Sequence, residues 1–159
     1  TANQSFALKI RKPEWATKFS ASVPYKDEDG FLVIEKAWKG VESVDISFYA
    51  TVAGRQDLNG ENYFTYGALV LAAPIPANEE QGKAFPIPGF FNYRYAPKKR
   101  VTYEYSEGAV ESDTTNLRFT VSLINSLTKK KEPVELVPMG GTILRQVTVR
   151  QPKRDSAEQ

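Results

Sequence analysis

The chain has no Cys and no His, so carboxylates, hydroxyls, phenols and amines are its only reactive side chains. This composition removes thiolate nucleophiles, imidazole bases, disulfides and the usual zinc or copper ligands. A pair of carboxylates could still hydrolyse a glycoside. The densest acidic cluster is Asp27-Glu28-Asp29 before Gly30. Acidic residues are common in turns of this kind, and the spacing does not match an EF-hand loop. We therefore predict no catalytic residue, no metal site and no cofactor.

Aromatic residues gather between Phe85 and Tyr105, among several prolines and basic residues. Aromatic and Arg enrichment is typical of binding interfaces. The candidate interface or sugar-contact residues are Phe90, Phe91, Tyr93, Arg94 and Tyr95. A segment that merely covers one end of the fold remains the open alternative. Trp15 and Trp38 could likewise stack on a sugar, but each ends a strand-like segment, where large aromatic residues usually pack in the core.

The charge balance argues against polyanionic partners. Lys and Arg number 21, Asp and Glu number 19, and the net charge is only +2. Such a chain has no strong field to attract nucleic acid or an anionic membrane. The longest apolar run, 68–73, is too short to cross a bilayer. We expect neither nucleic acid nor membrane as a partner.

Alternating apolar and polar residues predict the elements that must position these side chains. The pattern recurs in five segments: 6–11, 44–48, 101–105, 117–123 and 144–150. Segment 31–34 is also predicted to be a strand, and the apolar run 64–73 a central strand covered on both faces. Turn residues separate these runs, which favours an all-β, antiparallel, jelly-roll-like β-sandwich.

The organisation predicted is one module over residues 1–150 with a flexible tail at 151–159. Within the module, 74–116 is expected to be a divergent insertion that contains one long aromatic and Pro-rich loop. Ten side chains are expected in the core: Leu8, Ile10, Ile46, Phe48, Leu69, Leu71, Phe119, Val121, Leu136 and Val147.

Three stretches carry a family resemblance: 6–16 with 30–38, 66–72, and 136–145. In the same order, they resemble the patterns LRIPSWA with GY…I.R.W, RGPLVYA, and LVPYGxTxLR of the bacterial β-L-arabinofuranosidase-type glycoside hydrolases. The match lies in the C-terminal region of that family, which was long catalogued as a domain of unknown function. The chain has Tyr66 where the family has Arg and Ala68 where it has Pro, so no specific sugar is carried over.

The resemblance implies a non-catalytic accessory module that buttresses a catalytic domain. In that family the chemistry lies in an N-terminal helical barrel with a Glu and a zinc-bound Cys cluster, and none of those residues has a counterpart here. The implied partner is this barrel in the same polypeptide, with a plant-type arabinose-containing glycan as a second candidate. The implied location is extracytoplasmic, periplasmic or secreted. The alternative is an autonomous carbohydrate-binding module.

The first test concerns catalysis. We expect the isolated chain to release no arabinose from aryl arabinofuranosides, because it lacks the family's catalytic residues. A chromogenic assay on repurified protein measures this. Activity that survives repurification and disappears after a single Asp or Glu substitution would overturn the prediction.

Overall fold

The computed structural model describes residues 3–152, which form two compact units. The N-terminal unit ends at Thr51, and the C-terminal unit begins at Val52. The single module predicted over 1–150 stays a prediction. Of the predicted tail, 153–159 lie outside the described residues. No helix in the described part of the chain is long and apolar enough to cross a membrane.

The N-terminal unit contains two small antiparallel sheets. Their strands are β1 (Gln4–Arg11), β2 (Lys18–Ala21), β3 (Lys26–Glu28), β4 (Phe31–Trp38) and β5 (Ile46–Tyr49). One sheet has the order β1-β4-β3, and the other pairs β2 with β5. In β4, Leu32, Val33 and Ile34 are all buried, so both faces of this central strand are covered. The predicted strands at 6–11 and 44–48 are confirmed within two residues, and the strand predicted at 31–34 is confirmed but extends to Trp38.

The predicted acidic turn at 26–30 is shorter than expected. Asp27 and Glu28 belong to β3, and only Asp29 and Gly30 turn the chain into β4. Both have positive φ, 46° and 81°, as a two-residue type I′ hairpin requires. The Asp27 carboxylate accepts a hydrogen bond from the Lys12 ammonium. The cluster therefore has a structural explanation in turn formation and ion pairing.

The C-terminal unit contains the larger sheet and one separate ribbon. Its strands are β6 (Val52–Gln56), β7 (Asn62–Tyr66), β8 (Leu69–Pro74), β9 (Ala77–Ala84), β10 (Phe91–Pro97), β11 (Tyr103–Glu104), β12 (Glu111–Asp113), β13 (Arg118–Asn125), β14 (Lys131–Pro138) and β15 (Arg145–Gln146). The sheet runs β11-β13-β14-β8-β7-β6, with β12 beside β13 and β15 beside β8. Strands β9 and β10 pair only with each other in this topology.

Alternation along β13 and β14 builds the core of this unit. Phe119 lies opposite Leu136 and Val121 opposite Val134, and all four side chains are buried. Leu71 from β8 and Phe64 from β7 join the same cluster. Since side chains on one face of a strand recur every second residue, this register places one continuous apolar face inside.

Two residues near the end of the described chain close the larger sheet on itself. Val149 exchanges two backbone hydrogen bonds with Asn62 at the start of β7, at 2.8 and 2.9 Å. The Arg150 carbonyl accepts a hydrogen bond of 2.7 Å from the Tyr105 amide, and Arg150 bridges to Glu104 of β11. We call residues 149–150 and these partners the seam.

The prediction of an all-β, antiparallel, sandwich-like fold is confirmed, whereas the jelly-roll type stays a prediction.

The predicted single central strand at 64–73 is wrong. The segment is a hairpin of β7 and β8, in which Tyr66 pairs with Leu69 across a two-residue turn. Gly67 permits this turn because it adopts φ of 57°, which favours glycine. An unbroken apolar run does not reveal such a turn, since both strands are central and lack a polar face.

The predicted long loop within 74–116 is also wrong, because most of it is β-structure. Strands β9 and β10 form a hairpin, and β11 and β12 follow before the segment ends. Its prolines lie at strand ends and in the turn, where they cost no ladder hydrogen bond. Both faces of this hairpin are largely exposed. Its second strand alternates at Phe91, Tyr93 and Tyr95, but β9 has no such alternation and the surrounding prolines favour a loop.

The predicted core is partly confirmed. Leu71, Phe119, Val121 and Leu136 are buried. The prediction that Leu69 is buried is wrong, since this side chain is 41% exposed. The other five are half-buried: Leu8, Ile10, Ile46, Phe48 and Val147.

The difference in burial between Leu69 and Leu71 of β8 gives a stability test. Leu71→Ala should reduce the free energy of unfolding by about 2–5 kcal/mol, because it opens a cavity in a closed core. Leu69→Ala, two residues away on the same strand, should cost less than about 1 kcal/mol. Urea unfolding of both variants measures the difference. Equal losses would contradict the difference in burial between Leu69 and Leu71.

Candidate functional site

The hairpin of β9, β10 and the turn at 85–90, called the arm below, carries the predicted site residues. At its tip, the Phe90 amide donates to the Ile87 carbonyl at 3.3 Å. Pro88 and Gly89 occupy the central positions, and Gly89 has φ of 85°, as in a type II turn. This turn displays Phe85, Ile87 and Phe90, which are 51%, 63% and 61% exposed. The arm therefore ends in a preformed apolar tip.

One face of the arm is aromatic. Tyr93 and Tyr95 lie two residues apart on β10, so they share a face, with ring centroids 6.4 Å apart and planes inclined by 34°. Their cross-strand neighbours are Gln81 and Glu79. A hydrogen bond from the Tyr95 hydroxyl to the Glu79 carboxylate raises the pKa of Tyr95. This face joins aromatic surface to polar groups.

The five predicted site residues lie at different places on the arm. Phe90 is exposed at the tip, and Phe91 is half-buried opposite Ala84, where a bulge interrupts the register. Tyr93 and Tyr95 meet on one face. Arg94 alternates to the opposite face, directly across from Glu80. The five residues thus share one element but form no single pocket.

A basic stretch begins in the distal arm and continues past its end, whereas within the arm as a whole Glu79 and Glu80 balance Lys83 and Arg94. From Gln81 to Tyr103 the chain has no Asp or Glu but five cations: Lys83, Arg94, Lys98, Lys99 and Arg100. None of the five takes part in the ion pairs among the described residues. The whole chain carries only +2, so this charge is local. An acidic partner would gain most from such a segment.

A second candidate site is a cleft of about 900 Å³ at the seam, called the seam cleft below. Its walls bring together two Glu residues that are far apart in sequence, Glu61 and Glu104. Their side chains are largely covered, with 22% and 19% exposed. The sequence alone does not predict this site. No local motif marks residues that meet only because the sheet closes.

Each carboxylate of the seam cleft has a cation beside it. The Arg150 guanidinium donates to Glu61 at 2.7 Å, and the Lys129 ammonium donates to Glu104 at 2.6 Å. Hydrogen bonds from the Thr148 hydroxyl and then from Arg150 lower the pKa of Glu61. A general acid in glycoside hydrolysis needs a raised pKa. Glu61 is therefore unsuited to that role.

The two Trp residues are half-buried, and each contacts another aromatic ring. The Trp15 ring meets Phe48 edge-on at 6.5 Å between centroids. Trp38 stacks on Phe6 at 5.2 Å, and the Lys36 ammonium lies 4.6 Å from its ring centroid. The Trp38 indole also donates to the Phe6 carbonyl at 3.1 Å. These contacts give both residues a structural role.

Comparison with protein-family models, with curated proteins and with solved structures gives no match for this chain. The arm and the seam cleft therefore provide the physical basis for proposing a function.

The Glu61 carboxylate at the seam should make the stability of the fold depend on pH. Its lowered pKa means that Glu61 stabilises the fold fully above the unfolded value, near 4.5, and that this contribution disappears as the pH falls through the folded value. Glu61→Gln should lower stability at pH 7 and flatten the loss of stability between about pH 5 and pH 3. Urea unfolding across this range measures it.

Glu135→Gln is the matched control, because Glu135 forms an exposed ion pair with Arg118 and such pairs contribute little. If Glu61→Gln and Glu135→Gln have the same pH profile, Glu61 does not stabilise the seam.

Proposed function

We propose that this chain is a non-catalytic accessory β-module that docks on a neighbouring protein domain through its arm. The observation that carries the proposal is the preformed apolar tip on a two-stranded ribbon. The catalytic barrel of a glycoside hydrolase is the neighbour that the sequence resemblance favours, and the module's work there is to buttress that barrel.

The exposure of the arm supports a docking role. A strand of eight residues spans about 26 Å, and nearly every side chain of β9 along that length is exposed. A lone two-stranded ribbon is at best marginally stable in water. A partner surface that covers the tip would bury its apolar area, and this burial would also stabilise the ribbon.

The turn chemistry also favours docking. The Pro88-Gly89 pair fixes the tip before any partner arrives, so little conformational entropy is lost on binding. Large apolar and aromatic anchors with nearby cations are typical of interface hot spots. The recipient that fits is an apolar pocket with an acidic rim, because the distal arm carries Lys83 and no acid.

The second candidate function is glycan binding on the arm, as in an autonomous carbohydrate-binding module. Tyr93, Tyr95 and the nearby Glu79 favour it, since sugars stack on aromatic rings and bond to carboxylates. The 34° inclination of the two rings fits a flat sugar platform less well than a protein contact. A platform also leaves the apolar tip without a role.

The docking proposal is tested with the domain encoded upstream of Thr1. We expect that coding region to contain a catalytic barrel, and the separately produced barrel to bind this chain. Ile87→Ser should weaken binding by about tenfold or more, because it removes an apolar anchor from the tip. Calorimetry or interferometry measures the affinity.

Ile143→Ser is the matched control, since Ile143 lies outside the arm and is 61% exposed against 63% for Ile87. Equal binding by the two variants would exclude the tip as the docking site. An unrelated upstream domain, or a barrel that does not associate, would overturn the accessory function.

A further inference from the structure

The hydrogen-bonding groups of the seam cleft are only partly used. Glu104 accepts from Lys129 through Oε1, and no side-chain hydrogen bond reaches its Oε2 from the described residues. Arg150 donates from Nε alone, so its two terminal nitrogens have no side-chain partner there. Lys129 has three donor hydrogens and one carboxylate partner. The cleft thus offers acceptors and donors side by side.

The charges of the cleft cancel. Two carboxylates, Glu61 and Glu104, face two cations, Arg150 and Lys129. The cations are the more exposed members, at 83% and 65%, so they lie toward solvent while the carboxylates lie on the walls. A charged ligand would gain no net attraction from this set. A neutral ligand whose groups both donate and accept would satisfy it.

The remaining walls are amphipathic. Tyr103 and Ile124 provide apolar surface, while the hydroxyls of Thr102 and Ser126 lie 2.6 Å from each other. The Gln146 amide is fixed by bonds to the backbone of Tyr103 at 2.9 Å. The volume of about 900 Å³ lies within the range of small-ligand sites. Such walls suit a molecule with hydroxyls at its edges and C–H groups on its faces.

We propose that the seam cleft binds a segment of a neutral oligosaccharide. Adjacent sugar hydroxyls donate to the Glu104 carboxylate and accept from Lys129 and Arg150, and the ring face lies against Tyr103 or Ile124. This site is distinct from the arm and does not depend on the docking function. Its failure and the failure of docking are therefore measured separately.

The test is a titration of the isotope-labelled chain followed by NMR. The probes are neutral tetrasaccharides of arabinose, xylose and glucose, with an acidic galacturonate oligomer for comparison. We expect at least one neutral probe to shift the amide signals of Glu104, Ser126 and Gln146, and the acidic oligomer to bind more weakly. Glu104→Gln should weaken binding by about ten- to a hundredfold, because a hydrogen bond to a charged group is lost.

Lys129→Asn is the second cleft variant. Lys129 has φ of 56°, a conformation that Asn tolerates, so the turn is kept while the ammonium is removed. It should weaken binding as Glu104→Gln does. Glu135→Gln and Tyr93→Ala should leave binding unchanged, since neither residue lines the cleft.

Three results would overturn the proposal: no neutral probe shifts the cleft signals, the cleft variants bind as well as the parent chain, or the acidic oligomer binds best. Loss of binding in Tyr93→Ala but not in Glu104→Gln would assign the glycan to the arm instead.

Discussion

The backbone hydrogen bonds of Val149 and Arg150 hold the C-terminal sheet closed, and the rest of that unit depends on them. Without them, β7 and β11 would each present unpaired N–H and C=O groups, which favour pairing with other chains. Closure satisfies these groups and adds Val149 to the buried cluster that contains Phe119. The side chain of Glu61 strengthens the same place by accepting from Arg150. The chain must therefore bring residues 62 and 149 together before the unit is complete.

The same closure fixes both functional surfaces. The seam cleft lies beside the residues that join β7 to β11, since Glu61, Glu104 and Arg150 are among its lining residues. The base of the arm is held by two backbone hydrogen bonds of 2.8 Å: the Ile75 amide donates to the Leu144 carbonyl beside β15, and the Lys98 amide donates to the Pro76 carbonyl across the root of the ribbon. A ribbon anchored at its root and free at its tip can present that tip without disturbing the core.

The sequence predicted those strands whose apolar and polar residues alternate within a short window. Alternation located β1, β5 and β13 because the apolar side chains of each recur on one face. It did not reveal the arm, because β9 has no apolar alternation and prolines surround β10, and it missed the turn at Gly67, whose flanking strands are both central. The aromatic site residues were found by composition alone. The pairing of Glu61 with Glu104 could not be predicted in that way, because the two residues meet through long-range closure and no short window of sequence contains both.

The two surfaces differ in the forces that would select their partners. The arm presents an apolar tip, and the excess cations Lys98, Lys99 and Arg100 follow its second strand. The attraction of these cations for an acidic partner acts over a Debye length, about 8 Å at physiological salt, and weakens as salt is added. The seam cleft has balanced charges and acts through short hydrogen bonds, which salt screens far less. A neutral ligand in the cleft and an acidic domain on the arm therefore do not compete electrostatically. One closed sheet can support both contacts at once.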